Sequence, residues 1–272
     1  MRRALLYLVR YRIMMLERPL NVLRRIKHGA WRRWRNLRRA HALQRLRGAT
    51  RGRVASGPFA GLVLDSSHVF GAAGAKLLGT YEAELTDALD RVRVRAPPIV
   101  IDVGGADGYF AVGFAHHWRS PVIVFERLAH AREIISRNSA LNGVCATVDL
   151  RGDCDEAALY TLLMQHPRSG FLMMDVEGAE LDLISARIAR ALSGWPLLIE
   201  CHDFARQGCT RILEQRLAPT HCLQRISSRP RQRADFPLAL MMSQTSKLEL
   251  MDEGRPGVMT SLLGWPRTAG AA

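Results

Sequence analysis

The chain has 272 residues, 48% of them hydrophobic, which is enough for a sizeable core and excludes global disorder. The longest stretches without charge fall short of the ~20 apolar residues of a membrane span, so an integral membrane protein is not expected. The formal charge of +14 is uneven. Residues 1–53 carry 17 Lys and Arg against one acid, Glu17, while the rest of the chain carries 22 basic and 24 acidic groups. The basicity belongs to an N-terminal arm and says nothing about what the main domain binds.

In that arm Leu5, Val9, Ile13, Leu16, Leu20, Leu23, Ile26, Ala30, Trp34, Leu37 and His41 follow at steps of three or four, one helical stripe with Pro19 as a kink. Arg24, Arg25, Lys27, Arg32, Arg33, Arg35, Arg38 and Arg39 surround it. Such a helix suits an anionic membrane surface, RNA phosphates, or docking on its own domain. The apolar run 4–9 is too short for a secretory signal, whereas an organelle transit peptide shares the Arg-rich, acid-poor composition. The expectation is a cytoplasmic protein, with membrane contact through this arm as one of these alternatives.

Residues 54–96 read as a lead-in: a turn at Gly57-Pro58-Phe59-Ala60-Gly61, a loop at 71–74, and a helical pattern from Lys76 to Val92 that ends before Pro97-Pro98. Residues 97–272 then alternate strand and helix. Strands are expected at 99–103, 122–125, 145–150, 171–174 and 197–200. Helices are expected at about 109–117, up to Asn142 with Gly143 at the cap, 156–165, 181–192 and 210–217. Five such repeats predict an α/β fold, a Rossmann-like doubly wound, mostly parallel sheet with helices on both faces. The tail adds strand-like pieces at Cys222–Ile226 and Leu248–Met251, read as an edge hairpin, and the expected sheet has seven strands. Cysteines 145, 154, 201, 209 and 222 contain no CxxC pair, so reduced thiols packed as small apolar groups are expected.

In such a sheet ligands bind at the carboxyl ends of the strands. The first ends Asp102-Val103-Gly104-Gly105-Ala106-Asp107-Gly108, whose small residues let the backbone approach a ligand at a helix N-terminus. The spacing is not that of the dinucleotide fingerprint; it fits the Asp-x-Gly-x-(Gly/Ala)-x-Gly loop of S-adenosylmethionine enzymes. Glu126 ends the second strand, where an acid can take both ribose hydroxyls, or simply start a helix. Asp153, after the third, suits an adenine amine or a helix cap. The fourth runs into Asp175-Val176-Glu177-Gly178-Ala179-Glu180 and the fifth into Glu200-Cys201-His202-Asp203. Asp175, Glu177, Glu200 and His202 should face one another across the cleft mouth. They suit proton removal from an alcohol, structural capping, or a divalent metal, which is not expected.

Read in order, 99–110 (IVIDVGGADGYF), 122–126 (VIVFE), 138–144 (NSALNGV), 172–180 (LMMDVEGAE) and 198–204 (LIECHDF) resemble the FkbM-like family of class I S-adenosylmethionine-dependent methyltransferases. Gly79-Thr80-Tyr81-Glu82 resembles that family's lead-in, and Met174 departs from the Lys common before its fourth-strand Asp. The resemblance implies methylation of a hydroxyl on a sugar, glycan or secondary metabolite. It implies cofactor binding by Tyr81, Asp102, Gly104, Gly105, Asp107, Gly108, Glu126 and Asp153, with Asp107 near the amino-acid end and Asp153 near the adenine. Asp175, Glu177 and His202 would then lie beside the acceptor, with His202 or Asp175 as base.

Two rivals remain in the sequence. An RNA methyltransferase would grip with the arm, but nucleic acid is disfavoured. The chain has three lysines, Lys27, Lys76 and Lys247, none at a fourth- or fifth-strand end, and no Asn-Pro-Pro-Tyr element. A silent cofactor-binding scaffold at a membrane would keep the glycine loop and Glu126 without turnover.

Overall fold

The computed structural model describes residues 36–65, 72–166 and 170–267. The chain divides into two compact units, Met1–Arg45 and Leu46–Ala272. Most of the stripe in the arm lies outside the described residues. Residues 36–50 are helical (α1), with the stripe members Leu37 and His41 exposed and Leu46 buried. Among the described residues no helix is long and apolar enough to cross a membrane.

The second unit is built on a seven-stranded sheet. Its strands are β1 (Val100–Val103), β2 (Val122–Phe125), β3 (Val148–Arg151), β4 (Phe171–Met174), β5 (Leu197–Cys201), β6 (His221–Ser227) and β7 (Thr260–Pro266). The order across the sheet is β3-β2-β1-β4-β5-β7-β6. β1 to β5 are parallel, and β7 lies antiparallel between β5 and β6. β1, β2 and β4 are buried at every position, so they read as unbroken apolar runs apart from Asp102.

Alternate side chains of these strands feed two cores, one per face. Ile101, Val103, Ile123, Phe125, Leu172, Met174 and Leu197 pack with helices α6 (Glu156–Gln165), α8 (Ala186–Ala191) and α9 (Cys209–Leu217). Val100, Val122, Val124, Phe171, Met173 and Leu198 pack with α3 (Thr86–Val94), α4 (Tyr109–Gly113) and α5 (Ala129–Leu141). The doubly wound sheet read from the sequence is therefore the fold, and its strand order switches direction between β1 and β4.

Several expected elements differ, each for a local reason. The pattern from Lys76 to Val92 is two helices, α2 (Ala73–Leu78) and α3, because Gly79 turns left-handed (φ 76°) and ends the first. A Cβ on Gly79 would stand 1.8 Å from the Ser56 carbonyl oxygen. The third strand begins at Val148 rather than Cys145, since a turn closed by the Thr147 amide on the Val144 carbonyl uses the first half of the run. The helix expected at 181–192 splits into α7 (Glu180–Leu183) and α8, where extended Ser185 caps α8 by accepting from the Arg187 and Ile188 amides.

Leu248–Met251 is not a strand. Ser243 accepts from the Ser246 amide and starts α10 (Gln244–Met251), whose Leu250 and Met251 are buried, so β6 pairs with β7 instead. All five cysteines are free, but only Cys201 and Cys209 are buried; Cys145 and Cys222 are exposed and are not packing groups.

His221, at the start of β6, is fully buried. Its Nε2 stands 2.9 Å from the Trp195 carbonyl oxygen and its Nδ1 2.8 Å from Thr220 Oγ1, partners that suit a neutral ring donating from Nε2. Burial lowers its pKa below the ordinary 6.5, outweighing the carbonyls that favour the charged ring. The unfolded chain then binds a proton that the fold does not, so this stability is complete above about pH 6.5 and is lost as pH falls through the folded pKa. The urea-unfolding advantage of wild type over His221→Gln should shrink between pH 7 and pH 5. An advantage equal at both would contradict this.

Candidate active site

The β1–α4 loop bends over the switch point. Gly104 is left-handed (φ 96°), and a Cβ there would lie 1.7 Å from the Asp175 carbonyl oxygen. The loop can cross the end of β4 only with glycine at this position. Ala106 is also left-handed (φ 47°), a strained state for a residue with a Cβ. Its amide donates to Glu126 Oε2 at 2.8 Å, which holds it there. The second oxygen, Oε1, accepts from the Leu128 amide at 2.7 Å. Each carboxylate oxygen keeps a further acceptor site after these bonds.

Glu126 is part of the wall of a cavity of about 540 Å³ at the carboxyl ends of β1, β2 and β4. Gly104, Ala106, Asp153, Asp175 and Glu177 join it there, between the apolar side chains of Phe125, Leu128, Val176 and Leu183. A slot of this size suits a nucleoside-containing ligand. Asp153 does not cap α6; Asp155 does, accepting from the Ala158 amide, which leaves Asp153 on the cavity rim, its Oδ1 accepting from the Cys154 amide.

The other expected cofactor residues stand behind the cavity rather than in its wall. A Cβ on Gly105 would strike Val124 Cγ2 at 2.3 Å, and Gly108 (φ 81°) forms the left-handed entry to α4. Asp107 is buried and ion-paired with Lys76 Nζ at 2.7 Å, while Asn138 donates to its backbone carbonyl. Tyr81 packs edge-on against Tyr109, with the Lys76 ammonium 4.9 Å from its ring. Burial, with Glu82 next, raises its hydroxyl pKa. Asp102 is buried with Oδ2 unpartnered among the described residues, and burial followed by the Glu126 charge pushes it up to about 7.

A second group of side chains adjoins the cavity. His202, 1% exposed, presents Nε2 to Asp175 and Glu177, each at 3.4 Å, and to Glu200 at 3.7 Å. The four residues expected to face one another do so. Their organiser is Glu180, fully buried, whose Oε1 meets His202 Nδ1 at 2.5 Å and also accepts from the Gly178 amide. Burial opposes the charged imidazole, yet the bond to Glu180 and the surrounding carboxylates push it up to about 9. Burial and then Glu200 hold Asp175 well above the carboxylate range. In Glu180 burial acts to raise the pKa, but the bonds from His202 and from backbone amides, Gly178 among them, together outweigh it and the pKa falls.

The cluster continues into the tail. Arg255 meets Glu200 Oε1 at 2.6 Å, Glu253 at 2.7 Å and Glu82 at 3.1 Å. Arg231, 5% exposed at its side chain, meets Glu84 and Glu253, each at 2.6 Å. Sequence reasoning missed Glu82, Arg231, Glu253 and Arg255 as partners of this centre, since nothing local to them points to β5. Glu180 was within reach: an acid three residues beyond Glu177, entering a short helix, invited the question of what it meets. Arg231 and Arg255 also line a second cavity of about 530 Å³, with Leu248, Met251 and Val258.

No protein-family model matches the chain, and no curated protein does. Solved structures do align with it. The O-methyltransferase TomG of Streptomyces achromogenes, involved in tomaymycin synthesis and in complex with S-adenosylmethionine, is 12% identical over 69% of this chain and 81% of its own, at a TM-score of 0.49. An O-methyltransferase from Bacillus cereus, in complex with S-adenosylhomocysteine, is 14% identical over 85% and 90%, at 0.43. A precorrin-6y C5,15-methyltransferase from Geobacter metallireducens is 11% identical over 68% and 87%, at 0.46. At these values the likeness concerns the course of the chain and not its chemistry.

Removing one partner of a buried ion cluster leaves the others uncompensated, at a cost of about 3–5 kcal/mol. Arg231→Ala should lose stability on that scale in urea unfolding, because Glu84 and Glu253 are both nearly buried. A loss within about 0.5 kcal/mol, the scale of an ordinary surface change, would mean that the cluster is solvated.

Proposed function

We propose that the chain is a class I S-adenosylmethionine-dependent methyltransferase that methylates a hydroxyl oxygen of a sugar, glycan or secondary metabolite. The carrying observation is that Asp175 belongs both to the wall of the nucleoside-sized cavity and to the buried group around His202. One side chain thus joins a cofactor compartment to a polar centre where an acceptor can be held.

The residues present fit the cofactor. Glu126 has acceptor capacity for a ribose diol, the apolar walls suit an adenine, and the loop around Gly104 forms a cradle that a Cβ would fill. When bound, S-adenosylmethionine would supply a sulfonium methyl group for transfer to the acceptor oxygen, with a neutral thioether as the leaving group. The chain's own part is alignment and removal of the hydroxyl proton. Asp175 is the proton acceptor in this reading, since it is the more enclosed of the two acids shared by the cavity and the centre: Glu177 is 79% exposed at its side chain and Asp175 30%. His202, fixed by Glu180, keeps the Asp175 carboxylate oriented. The cavity bounded by Arg231, Arg255, Leu248, Met251 and Val258 supports an acceptor with an apolar body and oxygen substituents, because Arg255 links it to Glu200.

Calorimetric titration of the full chain with S-adenosylhomocysteine should give micromolar binding, and Glu126→Ala should weaken it at least tenfold through loss of the ribose contacts. Absence of binding by a folded wild-type protein would overturn the cofactor assignment.

A further inference from the structure

We propose that Asp175, Glu200 and His202 bind a first-row divalent cation of the manganese, iron(II) or zinc kind beside the cofactor cavity. Each offers a ligand atom, and these atoms all lie within 4.8 Å of one another.

Two atoms aim at this point without a hydrogen bond, one of them on the His202 side chain, which is 1% exposed. His202 Nε2 makes no hydrogen bond among the described residues; the carboxylates around it stop at 3.4–3.7 Å. Asp175 Oδ1, one of those neighbours, is buried and likewise has no hydrogen bond. An imidazole and a carboxylate in an enclosed site would ordinarily close to hydrogen-bond distance, about 2.8 Å. A separation of about 3.4 Å is instead that of two ligand atoms bonded at about 2.1 Å to one ion at a near-tetrahedral angle.

The outer contacts have the form of a metal site. His202 Nδ1 is held by the Glu180 carboxylate, the arrangement that fixes a ligating imidazole with its other nitrogen forward. Glu200 is held the same way: Oε1 takes Arg255 at 2.6 Å, leaving Oε2 toward His202. Charge points in the same direction. Among the described residues the connected cluster contains seven carboxylates, counting Glu177, against Arg231, Arg255 and one imidazole. A divalent ion relieves that excess where it is greatest. The mixed nitrogen and oxygen donors favour first-row ions over calcium or magnesium, which prefer oxygen alone.

The cation would hold the acceptor oxygen and lower the pKa of its hydroxyl, Asp175 binding the ion through Oδ1, the oxygen that faces His202, and keeping Oδ2 for the proton. That role rests on the methyl-transfer reading, whereas metal binding itself does not. The test is electron paramagnetic resonance titration of Mn²⁺ into chelator-treated full-length protein, with Zn²⁺ as competitor. The expected result is loss of the free Mn²⁺ signal at one equivalent, reversal by Zn²⁺, and at least tenfold weaker binding in His202→Gln and in Glu200→Gln. S-adenosylhomocysteine binding should be unchanged in Glu200→Gln, since Glu200 does not line the cofactor cavity. Glu200→Gln keeps the side-chain shape and decides the matter if His202→Gln does not fold. The proposal is overturned if wild type binds S-adenosylhomocysteine but neither ion at one equivalent. It is equally overturned if folded variants bind Mn²⁺ as wild type does. Loss of S-adenosylhomocysteine binding with metal binding intact would strike the cofactor reading alone.

Discussion

The contact between Gly104 and the Asp175 carbonyl oxygen governs the rest of the site. Space there admits no side chain, so the β1 loop lies directly on the end of β4. That closeness sets the floor of the cavity at the strand ends and fixes where Asp175 leaves the sheet. Glu126 completes the arrangement from the neighbouring strand by holding the left-handed amide of Ala106. Three consecutive strands in the sheet, β2, β1 and β4, are thereby tied by one close backbone approach and one hydrogen bond from a backbone amide to the Glu126 carboxylate. A site built this way is preorganised before any ligand arrives.

Beyond Asp175 the dominant constraint is electrostatic. Charged groups removed from water are tolerated only when paired and hydrogen-bonded. The chain meets this by folding its tail, between β6 and β7, back toward the lead-in, so that Arg231 and Arg255 reach Glu82, Glu84 and Glu200. The close approach of α10 to α2 makes that return possible: a Cβ on Gly74 would stand 2.3 Å from the Leu250 carbonyl oxygen. Segments remote in sequence therefore share one charge balance, with His202 on its inner side.

The sheet was legible because buried parallel strands leave unbroken apolar runs, and β4 and α6 fall on the residues the pattern indicates. Glu126, Asp153, Asp175 and His202 were legible because each is a polar residue standing at or just beyond a strand's end. What stayed hidden was long-range. Asp107 meets Lys76 from a helix 31 residues earlier in the chain, a pairing that nothing local to either residue announces. Leu248–Met251 has the composition of a strand, and its state was decided by the Ser243 cap and by packing on α2. Glu180 showed its acid but not its partner, since His202 arrives from β5, 22 residues on.

The most direct measurement is a crystal structure of the protein with S-adenosylhomocysteine. The account predicts the ribose hydroxyls within about 3 Å of the Glu126 carboxylate and the sulfur turned toward Asp175. A nucleoside lying elsewhere, or seated in the cavity with its sulfur directed away from Asp175 and His202, would contradict it.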